Sequence, residues 1–267
     1  AQADGQQEQM NRAIARSLTW LLHHHLDQRN RPAILQAWQQ LEAIDPAQIG
    51  GTGLVILARL AYVRQDLAQT RHWLSLAERH CNAQGDQINW AYTIYVEGMV
   101  ALKEGDWIGC VPKLWQALTI MRQVQRKDIQ MHLLSLLTEI SLLRQDDQTL
   151  LTLAAEALPL TRDLQYDYGL AVLFLHVAVA LIRSQPSSAV RQQERDTMIE
   201  AVIAITDRLT KGVEPPDQQS TLVYPRSIGY VCSLLGEERV THMMKRGTVL
   251  SVDEAVASVL RYCAKAS

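Results

Sequence analysis

Phenylalanine occurs once in this chain of 267 residues, and glycine (13) and proline (8) are sparse. A many-stranded sandwich or barrel needs turn residues about every 8–12 positions, so these low counts exclude that class. An excess of one charge is also missing: 26 basic residues face 28 acidic ones, for a net charge of −2. Domains that grip nucleic acid through its phosphates carry a basic surplus, so no direct nucleic-acid contact is expected. The four cysteines (Cys81, Cys110, Cys232 and Cys263) are far apart. A disulfide framework or zinc site needs patterned spacing. The expectation is therefore buried thiols in a reducing, cytoplasmic setting. No long apolar run exists either. The stretch from Gly169 to Ile182 contains His176 and falls short of the ~20 residues that span a bilayer. It reads as a buried helix, and no membrane partner is expected. Ala1 to Gln9 is polar, unlike a secretory signal.

What the chain does have is leucine and alanine, within a hydrophobic content of 48%. Both residues lose little freedom in a helix and are strong helix formers. The expected fold class is all-α.

The helices repeat. Asp66, Asp106 and Asp146 recur at a spacing of 40, and so do Ala77, Ala117 and Ala157. Leu74 and Leu114 share one register with Ala154. An Asp at the start of a helical pattern is a natural N-cap, because its carboxylate accepts from a free backbone N–H of the first turn. The residues before each Asp (Arg64-Gln65, Glu104-Gly105, Arg144-Gln145) leave room for only a tight turn, so paired helices run antiparallel. The small Ala eleven residues on lets them approach closely. Two helices cannot cover their own apolar faces, so neighbouring pairs must stack.

Extending this register predicts about six helix pairs. Gln6 to Gln28 pairs with Pro32 to Ile44, with Asn30 as cap. Pro46 to Arg64 pairs with Leu67 to Ala83, and Asp86 to Glu104 with Trp107 to Gln123. Lys127 to Arg144 pairs with Asp147 to Arg162, and Gln165 to Arg183 with Ser188 to Thr210. The pattern changes after Lys211. Gly212 to Asp217 reads as a loop, followed by a helix over Gln218 to Leu235. Gly247 stops a further helix. Ser251 with Glu254, ahead of an apolar run, is a capping box. The expected organisation is a repeat array over 1–211 with a helical cap over 212–267 continuous with the array.

The middle copy resembles the tetratricopeptide signature through Gly98, Ala101, Gly105-Asp106, Leu114 and Ala117. The other copies depart from it, with Ala58 for the Gly and Thr70 or Leu150 for an Ala. The spacing is also longer than the ~34 residues of that repeat. The resemblance implies a superhelical α-solenoid. The tail resembles a second pattern: Leu235-Gly236-Glu237, Gly247, and Leu250-Ser251-Val252-Asp253-Glu254-Ala255-Val256. It is similar to the end of bacterial signal-transduction ATPase regulators of the maltose-regulator and LuxR type, whose C-terminal half is a tetratricopeptide-like sensor. Val240 and Met244 stand where aromatics are usual. No phosphate-binding loop of the Gly-x4-Gly-Lys-Ser/Thr kind is present, so the resemblance implies the sensor part without its engine.

In such arrays the first helix of each pair lines a concave groove. The resemblance places Arg59 and Tyr62 there in the first copy. It adds Tyr92, Tyr95, Met99 and Lys103 in the second, and His132, Ser135 and Glu139 in the third. Tyr, Met and Arg suit an adaptable surface, although Tyr95 and Met99 at i, i+4 also suit a core. The expected partner is a protein, a peptide or a small inducer, with oligomeric state open.

Other clusters yield less. His23, His24 and His25 point about 100° apart on a helix and cannot converge on one metal. No nucleophile motif appears, although His132, Glu139 and Ser141 share one helix. Arg122, Arg126 and Lys127 read as a solvated edge. No catalytic residue, metal or cofactor is expected.

Overall fold

The computed structural model describes residues 11, 13–15, 18, 31–185, 188–211, 218–247 and 250–266. Most of the expected first helix lies outside them, as do His23, His24, His25, Asn30 and the 212–217 segment. The described residues are helical, with no strand. They divide into two compact units, Ala1–Gln125 and Arg126–Ser267.

In the first unit α1 is Arg31–Glu42, α2 Gly51–Val63, α3 Leu67–Gln84, α4 Gln87–Glu104 and α5 Val111–Gln123. From α2 onward each helix packs on its predecessor, and α2 also packs on α4. The second unit continues with α6 (Lys127–Leu143), α7 (Asp147–Asp163), α8 (Asp167–Arg183) and α9 (Ala189–Thr210). Here α7, α8 and α9 each pack on the helix before, and α6 also packs on α8. The tail supplies α10 (Gln218–Leu235), α11 (Glu237–Arg246) and α12 (Val252–Ala266) to this second unit. The expected boundary after Lys211 therefore falls inside it.

The turn that joins the helices is one device used repeatedly. Gln65, Gly85, Gly105, Gln125, Gln145 and Gln165, twenty residues apart, all have left-handed backbone, with φ between 55° and 79°. After five of these residues the next N–H bonds back to a carbonyl five residues earlier: Asp66 to Ala61, Asp86 to Cys81, Asp106 to Ala101, Asp146 to Ser141 and Tyr166 to Thr161. This is the Schellman closure, which satisfies a carbonyl that the helix end would orphan. Asp66, Asp86 and Asp146 then cap the next helix, accepting from the N–H of Gln69, Asn89 and Thr149 at 2.9–3.1 Å. The repeat of 40 thus holds two half-units of 20 that share a left-handed turn residue, between pairs as well as within them.

Two expected helices are interrupted. Pro46–Gln48 is a 3-10 turn capped by Asp45, after which Gly50 is extended and α2 begins at Gly51. Glycines at 50, 51 and 53 are costly inside a helix, so the expected helix breaks ahead of them and restarts with Gly50 as its N-cap. Asp106 does not cap α5, because Ile108–Cys110 is a 3-10 turn and α5 starts at Val111. Pro112 has no N–H to offer the Ile108 carbonyl four residues back. Val111, three residues on, donates to it instead.

The aligned small residues sit at the helix contacts. Ala77, Ala117, Ala154 and Ala157 are fully buried, as are Thr70 and Leu150. Phe174, the only phenylalanine, is in the core of the second unit. Each large side chain of this kind contributes roughly 1.5–3 kcal/mol by burial. The Ser251 and Glu254 capping box forms in both directions: Ser251 N–H donates to Glu254 Oε2 at 2.7 Å, and Glu254 N–H donates to Ser251 Oγ at 3.1 Å. Those bonds hold the Glu254 carboxyl below its ordinary range.

Candidate functional site

The first helix of each pair (α2, α4, α6, α8) is called the A helix here. The predicted site residues fall into two sets, one in each unit. In the first unit Arg59 and Tyr62 are on α2, and Tyr92, Tyr95, Met99 and Lys103 are on α4. The α2–α4 contact brings them together. Arg59 Nη1 donates to Tyr92 Oη at 2.8 Å, and Tyr62 Oη donates to the Met99 carbonyl at 3.4 Å. The Tyr92 and Tyr95 rings stack at 6.0 Å. Lys103 Nζ lies 5.4 Å above the Tyr62 ring, and the Arg64 guanidinium 4.1 Å above that of Trp38 on α1. Such contacts draw a cation to the electron-rich face of a ring.

Exposure separates these residues. Met99 is buried, at 1%, and presents nothing to a ligand. Tyr62, Tyr92 and Tyr95 are buried as well, at 9%, 9% and 6%, while Arg59 is half-buried and Lys103 and Arg64 are exposed. The result is a buried aromatic floor with more exposed cations at its rim.

The second set differs. His132 and Ser135 are half-buried on α6, and the His132 ring meets Tyr166 edge-on at 6.4 Å. Glu139 is buried, with its Oε1 3.0 Å from Arg226 Nη1 of α10. Burial pushes its carboxyl up, and the Arg226 guanidinium pulls it back down. Glu139 is thus committed to an internal ion pair. Ser141 is likewise internal, its hydroxyl donating to the Leu137 carbonyl at 2.9 Å. Arg126 at the expected basic edge pairs with Asp128 at 2.7 Å.

Beside Glu139 lies a pair that the sequence reading did not single out. His176 of α8 places Nε2 3.0 Å from Ser227 Oγ of α10, with both residues buried. Its Nδ1 is buried without a partner. Burial pushes the imidazole down to about 3, with Arg226 adding to the effect, so the ring is neutral. The register contained a signal: at the spacing of 40, His176 follows Ile56, Val96 and Leu136. A histidine replaces an aliphatic core residue.

A cleft of about 470 Å³ between α9 and α12, lined among others by Val190, Met198, Leu250, Arg261 and Tyr262, was also not foreseen. Its polar groups are partly engaged internally, with Arg261 Nη2 donating to Ser258 Oγ at 3.0 Å. All four cysteines are free thiols, and burial pushes Cys81 and Cys263 up to about 11. Among the described residues no helix is long and apolar enough to cross a membrane.

No known protein family, curated protein or solved structure matches this chain.

Proposed function

We propose that this chain is a partner-binding helical-repeat module, of the tetratricopeptide-like kind that serves as the sensor of bacterial signal-transduction regulators. Its binding surface is the A-helix face of the first unit, and its partner is a protein segment or small inducer bearing an acidic group. The observation that carries this reading is the aromatic floor of Tyr62, Tyr92 and Tyr95 with Arg59, Lys103 and Arg64 around it. The buried tyrosines act by holding Arg59 and Lys103 in place, through the Tyr92 hydroxyl and the Tyr62 ring. Cations already held over rings meet a carboxylate without further ordering. The tail resemblance supports a sensor over a constitutive scaffold. A phosphate-binding loop upstream in the parent reading frame would favour the sensor as well.

Titration of the purified chain with acidic peptides drawn from the products of neighbouring genes tests this. Tyr92→Ala with Lys103→Glu weakens binding at least tenfold, with the helical circular-dichroism signal unchanged. Unchanged affinity in a folded double variant overturns the assignment of this face. Collapse of the helical signal would make these residues core only, leaving Lys103→Glu alone to decide.

A further inference from the structure

The second unit fills its own A-helix face, and it does so with a helix that breaks the packing rule of the array. Every helix from α3 to α5, and from α7 to α9, packs on the helix before it. By contrast, α10 packs chiefly on α8, two positions back, and touches α9 only marginally, through Thr210 Oγ1 and Tyr224 Oη at 3.4 Å. Through Arg226 it reaches α6, at Glu139. Among its described side chains the anchoring contacts include the Arg226–Glu139 ion pair, the His176–Ser227 hydrogen bond, and the Tyr168 and Tyr224 rings at 5.7 Å.

From Tyr224 to Leu235 only Ser227 and Val231 are buried, whereas α8 buries fourteen residues, from Tyr168 to Leu181. The helix itself is poor. Pro225 lacks an N–H within it, and Gly229 is exposed with no neighbour within 4 Å of an added Cβ. Beneath it, on α6 and α8, lie a buried carboxylate and an imidazole with an unpartnered Nδ1, polar groups that water would solvate if α10 moved away. Segments with few buried apolar contacts open well below the global unfolding limit.

We propose that the face carrying Glu139, Tyr168 and His176 is a helix-docking surface that the chain occupies in cis with α10, and that a partner helix of the same chemistry displaces it. That partner is an amphipathic helix with an aromatic, a hydroxyl and an aliphatic residue at i, i+3 and i+7, and an arginine next to the hydroxyl. In α10 these are Tyr224, Ser227, Val231 and Arg226. Docking of a helix through such anchors is a common recognition mode. The tethered α10 competes at millimolar effective concentration, so the surface opens only to a tight or abundant partner. The inference uses none of the residues proposed above for the first unit, so either can fail alone.

A labelled peptide with the chain's own residues 218–235 probes the surface in the full-length protein. Wild type binds it weakly. Arg226→Glu, which sets a second carboxylate against Glu139, frees the face and binds the wild-type peptide at least tenfold tighter. The same peptide carrying Arg226→Glu does not bind. Equal affinity of both chains for the wild-type peptide overturns the proposal. Amide exchange on the wild-type protein decides the matter if the variant misfolds. Amides of 226–235 exchanging at least a hundredfold faster than those of α8 sustain the proposal, and equal protection overturns it.

Discussion

Positions 92, 95 and 99 of the first unit and 132, 135 and 139 of the second share one helical register, yet they hold Tyr, Tyr, Met and His, Ser, Glu. In the first unit this face completes itself: Tyr92 and Tyr95 stack, the Tyr92 hydroxyl accepts from Arg59, Tyr62 donates to the Met99 carbonyl, and Met99 fills the core. In the second unit the same face is polar and unfinished until α10 brings Arg226 to Glu139 and Ser227 to His176. A carboxylate buried where its counterpart is a methionine needs a counter-ion, since an unpaired buried charge is strongly destabilising. The lesson is that register fixes where a side chain sits, and side-chain chemistry then decides whether the face stays open or recruits a cover.

The largest expected effect that sharpens this contrast is acid sensitivity confined to the second unit. The His176 imidazole is held at about 3, against an ordinary value of 6.5. Above pH 6.5 folded and unfolded chains are both neutral there, and the group contributes no pH dependence. As the pH falls from 6.5 toward 3, only the unfolded chain takes up the proton, and stability drops by about 1.4 kcal/mol per pH unit. Glu139 acts in the opposite sense, because its raised carboxyl in the folded chain takes up a proton first and gains stability as the pH falls. His176→Leu restores the aliphatic residue of the register and leaves Glu139 in place. Urea titrations from pH 8 to pH 5 therefore isolate the histidine: wild type loses about 2 kcal/mol relative to the variant by pH 5. Parallel pH profiles would remove His176 as the source.

A smaller effect is expected at Gly169, at the start of α8. A Cβ added there would lie 2.4 Å from Cδ1 of Tyr166 and 3.2 Å from Cγ2 of Thr161. The Tyr166 ring is the one that meets His132, so Gly169→Ala pushes it off that contact at a cost of about 1–2 kcal/mol, typical of overpacking. Gly51 opens α2 in the first unit. There a Cβ meets Asn89 Cβ and Asp86 Oδ2 at 3.3 Å, which a shift of a few tenths of an ångström relieves, so Gly51→Ala costs less. Denaturant midpoints for the two variants test the difference, and equal losses would show that the Tyr166 ring simply swings aside.

Much of this architecture was legible in advance because it is local. Asp66 and Asp146 announce their turns by an N-cap, and Ser251 with Glu254 announces α12. The half-repeat of 20 was harder to read, because Arg126 and Tyr166 stand where the other turns have Asp, leaving only a glutamine before them as a mark. The breaks at Pro46 to Gly50 and at Ile108 to Cys110 were lost because a single proline or glycine outweighed an otherwise helical pattern. The nine predicted site residues could be placed on A helices, but not ranked by exposure. Whether Glu139 faces a ligand or an ion pair depends on Arg226, 87 residues away in sequence. No local pattern encodes that meeting.

The smallest effect tests what the two units share. Gln65 in the first and Gln145 in the second adopt φ of 65° and 58°, a conformation that glycine holds at Gly85 and Gly105. A side chain in left-handed backbone carries a cost of roughly 1–2 kcal/mol, of which glycine recovers part while losing more entropy on folding. Gln65→Gly and Gln145→Gly are each expected to stabilise by about 0.5–1 kcal/mol, and Gly85→Ala to destabilise by a similar amount. Because the Schellman closure is backbone-made at each site, with Asp66 bonding to Ala61 and Asp146 to Ser141, the two glutamine variants should gain equally. Their denaturant midpoints measured side by side decide it. A gain at Gln65 without one at Gln145 would mean that the second unit ties its turn down through side-chain contacts, and the half-repeat would then be a likeness of backbone only.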